Sequence, residues 1–216
     1  MGFKMKYFIY GTLTIVVLGT CISLAAPEPA IVPGPADWTV DVGFEHPQQI
    51  EVALGPAGRP VRFWYTIITL TNNTGRVVDF YPNCELMTDT YQIIPAGKST
   101  PATVFEKIKM RHQAGYPFLE FLEKVDNRIL KGRDNTKDIA IIWPDFDDKA
   151  KAIKIFLAGL SNETVVIEHP VAKDKNGRPV KLFLRKTLQL SYNVGGDAAF
   201  KNDARLVHNG KKWVMR

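Results

Sequence analysis

Two cysteines in 216 residues, Cys21 and Cys84, leave no room for a disulfide framework or a cysteine-based metal site. The four histidines, His46, His112, His169 and His208, lie far apart in the chain and have no metal-ligand spacing. There is no Gly-x-Ser-x-Gly elbow, no His-Glu-x-x-His pair and no phosphate-binding glycine loop, so no local motif supplies a nucleophile, a zinc site or a nucleotide cradle. No cofactor is expected. Blocks of like charge are missing too. The formal net charge is +6, of which Lys4 and Lys6 near the N-terminus carry two. The remaining balance of +4 falls short of a nucleic-acid footprint, although it favours anionic polymers weakly.

What is present begins with an export signal. Lys4 and Lys6 precede an apolar stretch from Tyr7 to Leu24, which ends in Ser23-Leu24-Ala25-Ala26. A positive start, an apolar run and a small-x-small site define a secretory leader over residues 1–25, with Ala25 as the last residue removed. Two other forms share the same export. The apolar run approaches the roughly 20 residues that span a bilayer and could stay as an anchor. Leu18-Gly19-Thr20-Cys21 is similar to a lipoprotein processing site in which Cys21 is acylated, with Thr20 departing from the usual small residue. Residues 26–36 carry four prolines and no hydrophobic period, which suits an extended tether. The expected address is the periplasm or cell surface, with the membrane reached only through the N-terminus.

Residues 37–216 read as one domain built mainly of strands. Trp38, Val40, Val42 and Phe44 alternate with other residues, and Val61 to Thr71 is apolar on both faces, the mark of a central strand covered on two sides. Asp174-Lys175-Asn176-Gly177 predicts a turn between Thr164–Glu168 and Val180–Tyr192, and Asn209-Gly210 a two-residue hairpin turn. Residues 100–131 carry helical spacing instead. One helix is expected after Pro101, with Val104, Phe105 and Ile108 on a face, and a second after Pro117, with Phe118, Phe121, Leu122 and Val125. Residues 126–138 read as a charged loop. About ten short strands argue for a sandwich with a small helical insertion.

Three groups of residues are candidates for chemistry or binding. Asp145, Asp147 and Asp148, in Trp143-Pro144-Asp145-Phe146-Asp147-Asp148, are the weak metal candidates; the string lacks the glycine and distal glutamate of a calcium loop and reads better as an Asp-stabilised turn. Glu120 and Glu123 read as the solvated side of the second helix. Trp213, beside Lys211 and Lys212, is the aromatic expected at the surface and a possible ligand contact. Cys84 reads as a small buried hydrophobe, or else as a thiol for an intermolecular bond.

The strings Leu-Thr-Asn-Asn-Thr-Gly, Ile-Ile-Pro-Ala-Gly-Lys, Ile-Ala-Ile-Ile-Trp-Pro-Asp-Phe-Asp and Ile-Phe-Leu-Ala-Gly-Leu-Ser-Asn fall within residues 60–75 and 90–162. Their layout resembles secreted bacterial immunoglobulin-like domains of the telokin-like type. The resemblance implies an immunoglobulin-like sandwich and no shared catalytic residue. The function expected from the sequence is a noncatalytic envelope or surface module that binds a protein partner or assists assembly. The alternative is a carbohydrate- or peptidoglycan-binding protein using surface aromatics. Buried tryptophans beside a broad apolar surface favour the first, and aromatics exposed in a groove favour the second.

Overall fold

Pro60–Asn72 forms the strand that organises the fold. Its residues alternate between two separate cores: Phe63, Tyr65 and Ile67 enter one, while Trp64, Ile68 and Leu70 enter the other. A strand buried on both faces has no polar side to show, which is why this stretch has no polar alternation in sequence. The computed structural model describes residues 37–55, 58–98, 100–196 and 204–216. The leader, Cys21 and the proline-rich tether lie outside the described residues.

In chain order the strands are β1 Asp41–Phe44, β2 Gln48–Ala53, β3 Pro60–Asn72, β4 Val78–Asp79, β5 Asn83–Thr88, β6 Ile93–Pro95, β7 Glu120–Phe121, β8 Arg128–Ile129, β9 Gly132–Pro144, β10 Ala152–Ala158, β11 Thr164–Lys173, β12 Pro179–Gly195 and β13 Arg205–Met215. Among the described residues there is one α-helix, α1, which spans Ala102–His112 between β6 and β7. One sheet holds β1 and β2 along one edge of β3, with β9 and then β7 on the other. The second runs β11-β12-β10-β5-β6, with β13 on the free side of β12. β4 and β8 form a separate short pair.

The two sheets pack face to face. Trp64, Ile139, Ile141 and Trp143 from the first meet Leu86, Ile155, Leu188 and Leu190 from the second in one core. On the opposite face of the first sheet, Val104, Phe105 and Ile108 of α1 pack over Tyr65, Ile67, Ala140 and Ile142. The result is a mainly β fold, consistent with a β-sandwich, with one helix laid on the outside. None of the described helices is long and apolar enough to cross a membrane.

Three local expectations are corrected. The second helix does not form: Glu120–Phe121 is the short strand β7, parallel to β9, followed by a single 3-10 turn at Leu122–Lys124. Leu119 and Phe121 enter the helix-side core, whereas Leu122 enters the inter-sheet core, because this segment crosses a sheet edge. Phe118, expected on the buried face, is exposed. Glu120 is accordingly on a strand, paired with Lys137 at 3.1 Å. Residues 126–138 are not a loop either; β8 and the first half of β9 lie there, held by pairing with β4 and β3 despite their polarity. Finally, Asn209-Gly210 is not a hairpin turn. β13 is continuous, and Asn209 is an extra residue bulged between His208, opposite Tyr192, and Gly210, opposite Ser191. Gly210 takes φ 143, a conformation that L side chains rarely adopt.

Candidate functional site

The acidic string follows β9 and is held by its own carboxylates. Asp145 Oδ1 accepts the indole N–H of Trp64 at 2.9 Å and the amide of Phe146 at 3.2 Å, while Oδ2 lies 3.5 Å from Arg62 Nε. Asp147 Oδ1 accepts the amide of Lys149 at 3.0 Å, and its own amide donates to Gln92 Oε1 at 2.8 Å. With Asp148 these residues border a cavity of about 670 Å³ that also takes in Trp64, Phe146 and Ala150. Among the described residues no group of three His, Cys, Asp or Glu side chains is placed to hold a metal. The geometry is that of a turn closed by Asp side chains, as the sequence suggests, with one addition: Asp145 also satisfies a buried indole. Asp145→Ala is expected to destabilise the fold by about 2 kcal/mol, because it strands the Trp64 donor in the core. Denaturant unfolding measures this, and an unchanged midpoint would remove Asp145 from the structural role.

Lys211, Lys212 and Trp213 lie on β13 and do not share one face. Trp213 sits opposite Leu188, is 37% exposed, and has Lys186 Nζ 5.3 Å from its ring centroid. Lys211 Nζ lies over Phe44 at 5.3 Å, and Lys212 stands opposite Gln189. Trp64 and Trp143 are fully buried, so neither offers a stacking surface.

Sequence reasoning missed the gathering of histidines with tyrosines around the β1–β2 connection. His46 and His208 approach to 5.1 Å between ring centroids, with Tyr192 Oη 3.4 Å from His46 Nδ1. Tyr65 Oη meets His112 Nε2 at 2.9 Å, donates to Gln48 Oε1 at 3.0 Å and accepts from Arg111 at 3.3 Å. Burial pushes the Tyr65 phenol up, partly offset by Arg111, while burial and then Arg111 hold His112 below its usual range. Tyr116 is pushed up to about 12, first by its hydrogen bond to Glu45 at 2.6 Å. Tyr65 has no exposed surface, so this imidazole–phenol contact ties α1 to the first sheet rather than meeting a ligand. No local sequence signal marks these groups, which meet only through strand pairing. Cys84 is buried, and burial followed by Glu85 raises its thiol to about 12, which keeps it protonated and inert.

The most unusual surface is the β11–β12 hairpin. β13 pairs with β12 from Lys186 onward and β10 from Leu188 onward, so β12 residues 179–184 pair with β11 alone among the described residues. Asp174 closes the turn, its Oδ1 accepting the amides of Asn176 and Arg178. Val166 and Phe183, paired across the strands, are 50% and 66% exposed on one face, and Val165, Leu182 and Leu184 are only half-buried on the other. Val171, in the irregular stretch between Glu168 and Lys173, is 81% exposed. The chain matches no family model, no curated protein and no solved structure.

Proposed function

We propose that the chain is an exported, noncatalytic interaction module of the cell envelope, an immunoglobulin-like sandwich that grips a protein partner with its β11–β12 arm. The observation that carries this reading is an apolar hairpin with both faces open. An isolated two-stranded hairpin is marginal in water and gains stability when a further strand or surface covers it. Val166 and Phe183, paired across the strands, form an anchor of the kind that dominates interface energetics. The rim is basic: Lys173, Lys175, Arg178, Lys181 and Arg185 stand against Glu168 and Asp174. The occupant is therefore an extended, acid-flanked segment of another envelope protein, added along the arm. Burial of Trp64 and Trp143 supports the same choice over a tryptophan-based sugar platform.

The test places a photo-crosslinking amino acid at position 183 and, as control, at exposed position 134. A single crosslinked protein is expected from position 183 alone, lost in Val166→Asp while thermal unfolding stays unchanged. Equal crosslinking from both positions, or crosslinks only to a second copy of this chain, would overturn the proposal.

A further inference from the structure

A groove of about 640 Å³ crosses the outer face of the second sheet, on the side away from the inter-sheet core. Its floor is β12, where Gln189 and Ser191 face outward. Gln189 is only 8% exposed, set between Phe156 of β10 and Lys212 of β13, which stand opposite it on the flanking strands. Its Nε2 donates to Ser191 Oγ at 3.0 Å, which leaves the Gln189 carbonyl oxygen and the Ser191 hydroxyl proton without a partner among the described residues. One floor therefore offers an acceptor beside a donor, the pairing that a sugar hydroxyl satisfies from both sides.

Two cations flank this floor. Lys154 of β10 stands opposite Ser191, and Lys212 of β13 opposite Gln189, so the two ammonium stems rise from strands about 10 Å apart. Neither forms an ion pair among the described residues. Two acids lie close: Glu85 is paired with Arg216 at 2.7 Å, and Asp89, itself part of the groove lining, accepts the amide of Lys151 at 3.1 Å. The bulge at Asn209 sets Gly210 opposite Ser191, and without a side chain that wall stays open.

Tyr91 stands at the rim. It is 82% exposed and is the only non-glycine residue among those described with a positive φ, at 66°. That conformation costs of order 1 kcal/mol or more for a bulky side chain and suits glycine or asparagine. The β5–β6 turn holds it there, with Thr88 Oγ1 accepting the amide of Gln92 at 3.0 Å and Thr88 O accepting that of Tyr91 at 3.1 Å. A strained, exposed aromatic beside a polar groove presents a ring face for the C–H side of a pyranose.

We infer that this groove binds a carboxylated oligosaccharide, with Lys154 and Lys212 taking its carboxylates, Gln189 and Ser191 its hydroxyls, and Tyr91 stacking on one ring. Two separated lysines and no guanidinium fork in the groove suit single carboxylates better than polyphosphate. The site is independent of the hairpin arm.

Calorimetric titration of the exported chain with oligogalacturonate tests it, with a neutral galactose oligomer and inorganic polyphosphate as comparators. Binding of the acidic oligomer alone is expected, weakened about tenfold by Lys154→Ala and again by Lys212→Ala. Tyr91→Gly is the diagnostic variant: it should keep or raise the unfolding temperature, by relieving the positive φ, while lowering affinity. Val166→Asp in the arm should leave the titration unchanged. No heat with the acidic oligomer, equal affinity for the neutral one, tighter binding of polyphosphate, or full affinity in the Lys154→Ala and Lys212→Ala variants would each overturn the assignment.

Discussion

Glu163→Ala is expected to destabilise the protein by about 3 kcal/mol, because it leaves a largely buried ammonium without its counter-charge. Glu163 is 4% exposed at the root of the β11–β12 arm. Its Oε1 accepts from Lys186 Nζ and from Thr39 Oγ1 at 3.0 Å, while Lys186 Nζ also donates to Thr39 at 3.1 Å. The backbone closes the same ring, with the Lys186 amide donating to Glu163 O at 2.9 Å. Removing the carboxylate leaves Lys186 with Thr39 and the Trp213 ring as its partners. For a domain of this size the loss corresponds to roughly 10 °C in unfolding temperature. Glu163→Leu combined with Lys186→Met should recover at least half of it, since an apolar pair has no charge to desolvate. A single-variant cost below about 1 kcal/mol, or a double variant no better than the single, would contradict this account.

The same pair sets a pH dependence of known sign. Burial by itself raises the Glu163 carboxyl, but the bonds from Lys186, Thr39 and Ser161 outweigh it and hold the group below its ordinary 4.5. A depressed carboxylate contributes stability that is fully present above the unfolded-state value and is lost as pH falls below it. Wild-type unfolding free energy should therefore decline as pH drops below about 4.5, and Glu163→Gln should show a shallower decline. Equal slopes would mean that Glu163 is not the group responsible.

The two cores were legible in the sequence wherever a pattern is local. Val61–Thr71 displays apolar residues on both faces, and no other arrangement than cover on both sides satisfies that. Asp174 to Gly177 carries its turn chemistry within a few residues, as does Asp147 bonding the Lys149 amide. Asn209-Gly210 shows the limit, because one dipeptide serves a hairpin turn or a bulge, and only the continued pairing of β13 with β12 decides between them. Residues 117–125 fail for a related reason: apolar positions facing two cores across a sheet edge mimic helical spacing. The candidate groove was least visible. Lys154, Gln189 and Lys212 come from three strands, and their alignment is a property of register alone. Of the expected binding residues, Lys211 and Lys212 line the groove, whereas Trp213 does not and stands opposite the core residue Leu188.

Trp143 separates a core role from a binding role most sharply. Trp64 and Trp143 are direct partners in the β3–β9 register, and both enter the inter-sheet core. Trp143→Ala is expected to cost about 4 kcal/mol, through lost burial and the cavity left in a core that closes only partly. The two indoles differ in one respect. Trp64 Nε1 donates to Asp145 at 2.9 Å, whereas Trp143 Nε1 has no acceptor among the described residues. An unpaired buried donor carries a penalty of about 1–3 kcal/mol, so Trp143→Phe offsets its smaller volume by removing that donor and should stay within about 1 kcal/mol of wild type. Trp64→Phe lacks this compensation, since it deletes a made hydrogen bond and leaves Asp145 with one donor fewer. Its cost should exceed that of Trp143→Phe by about 1–2 kcal/mol. Chemical denaturation of the three variants measures the series. A Trp143→Ala variant as stable as wild type would place that ring outside the core, and equal costs for the two phenylalanine variants would remove the distinction between the indoles.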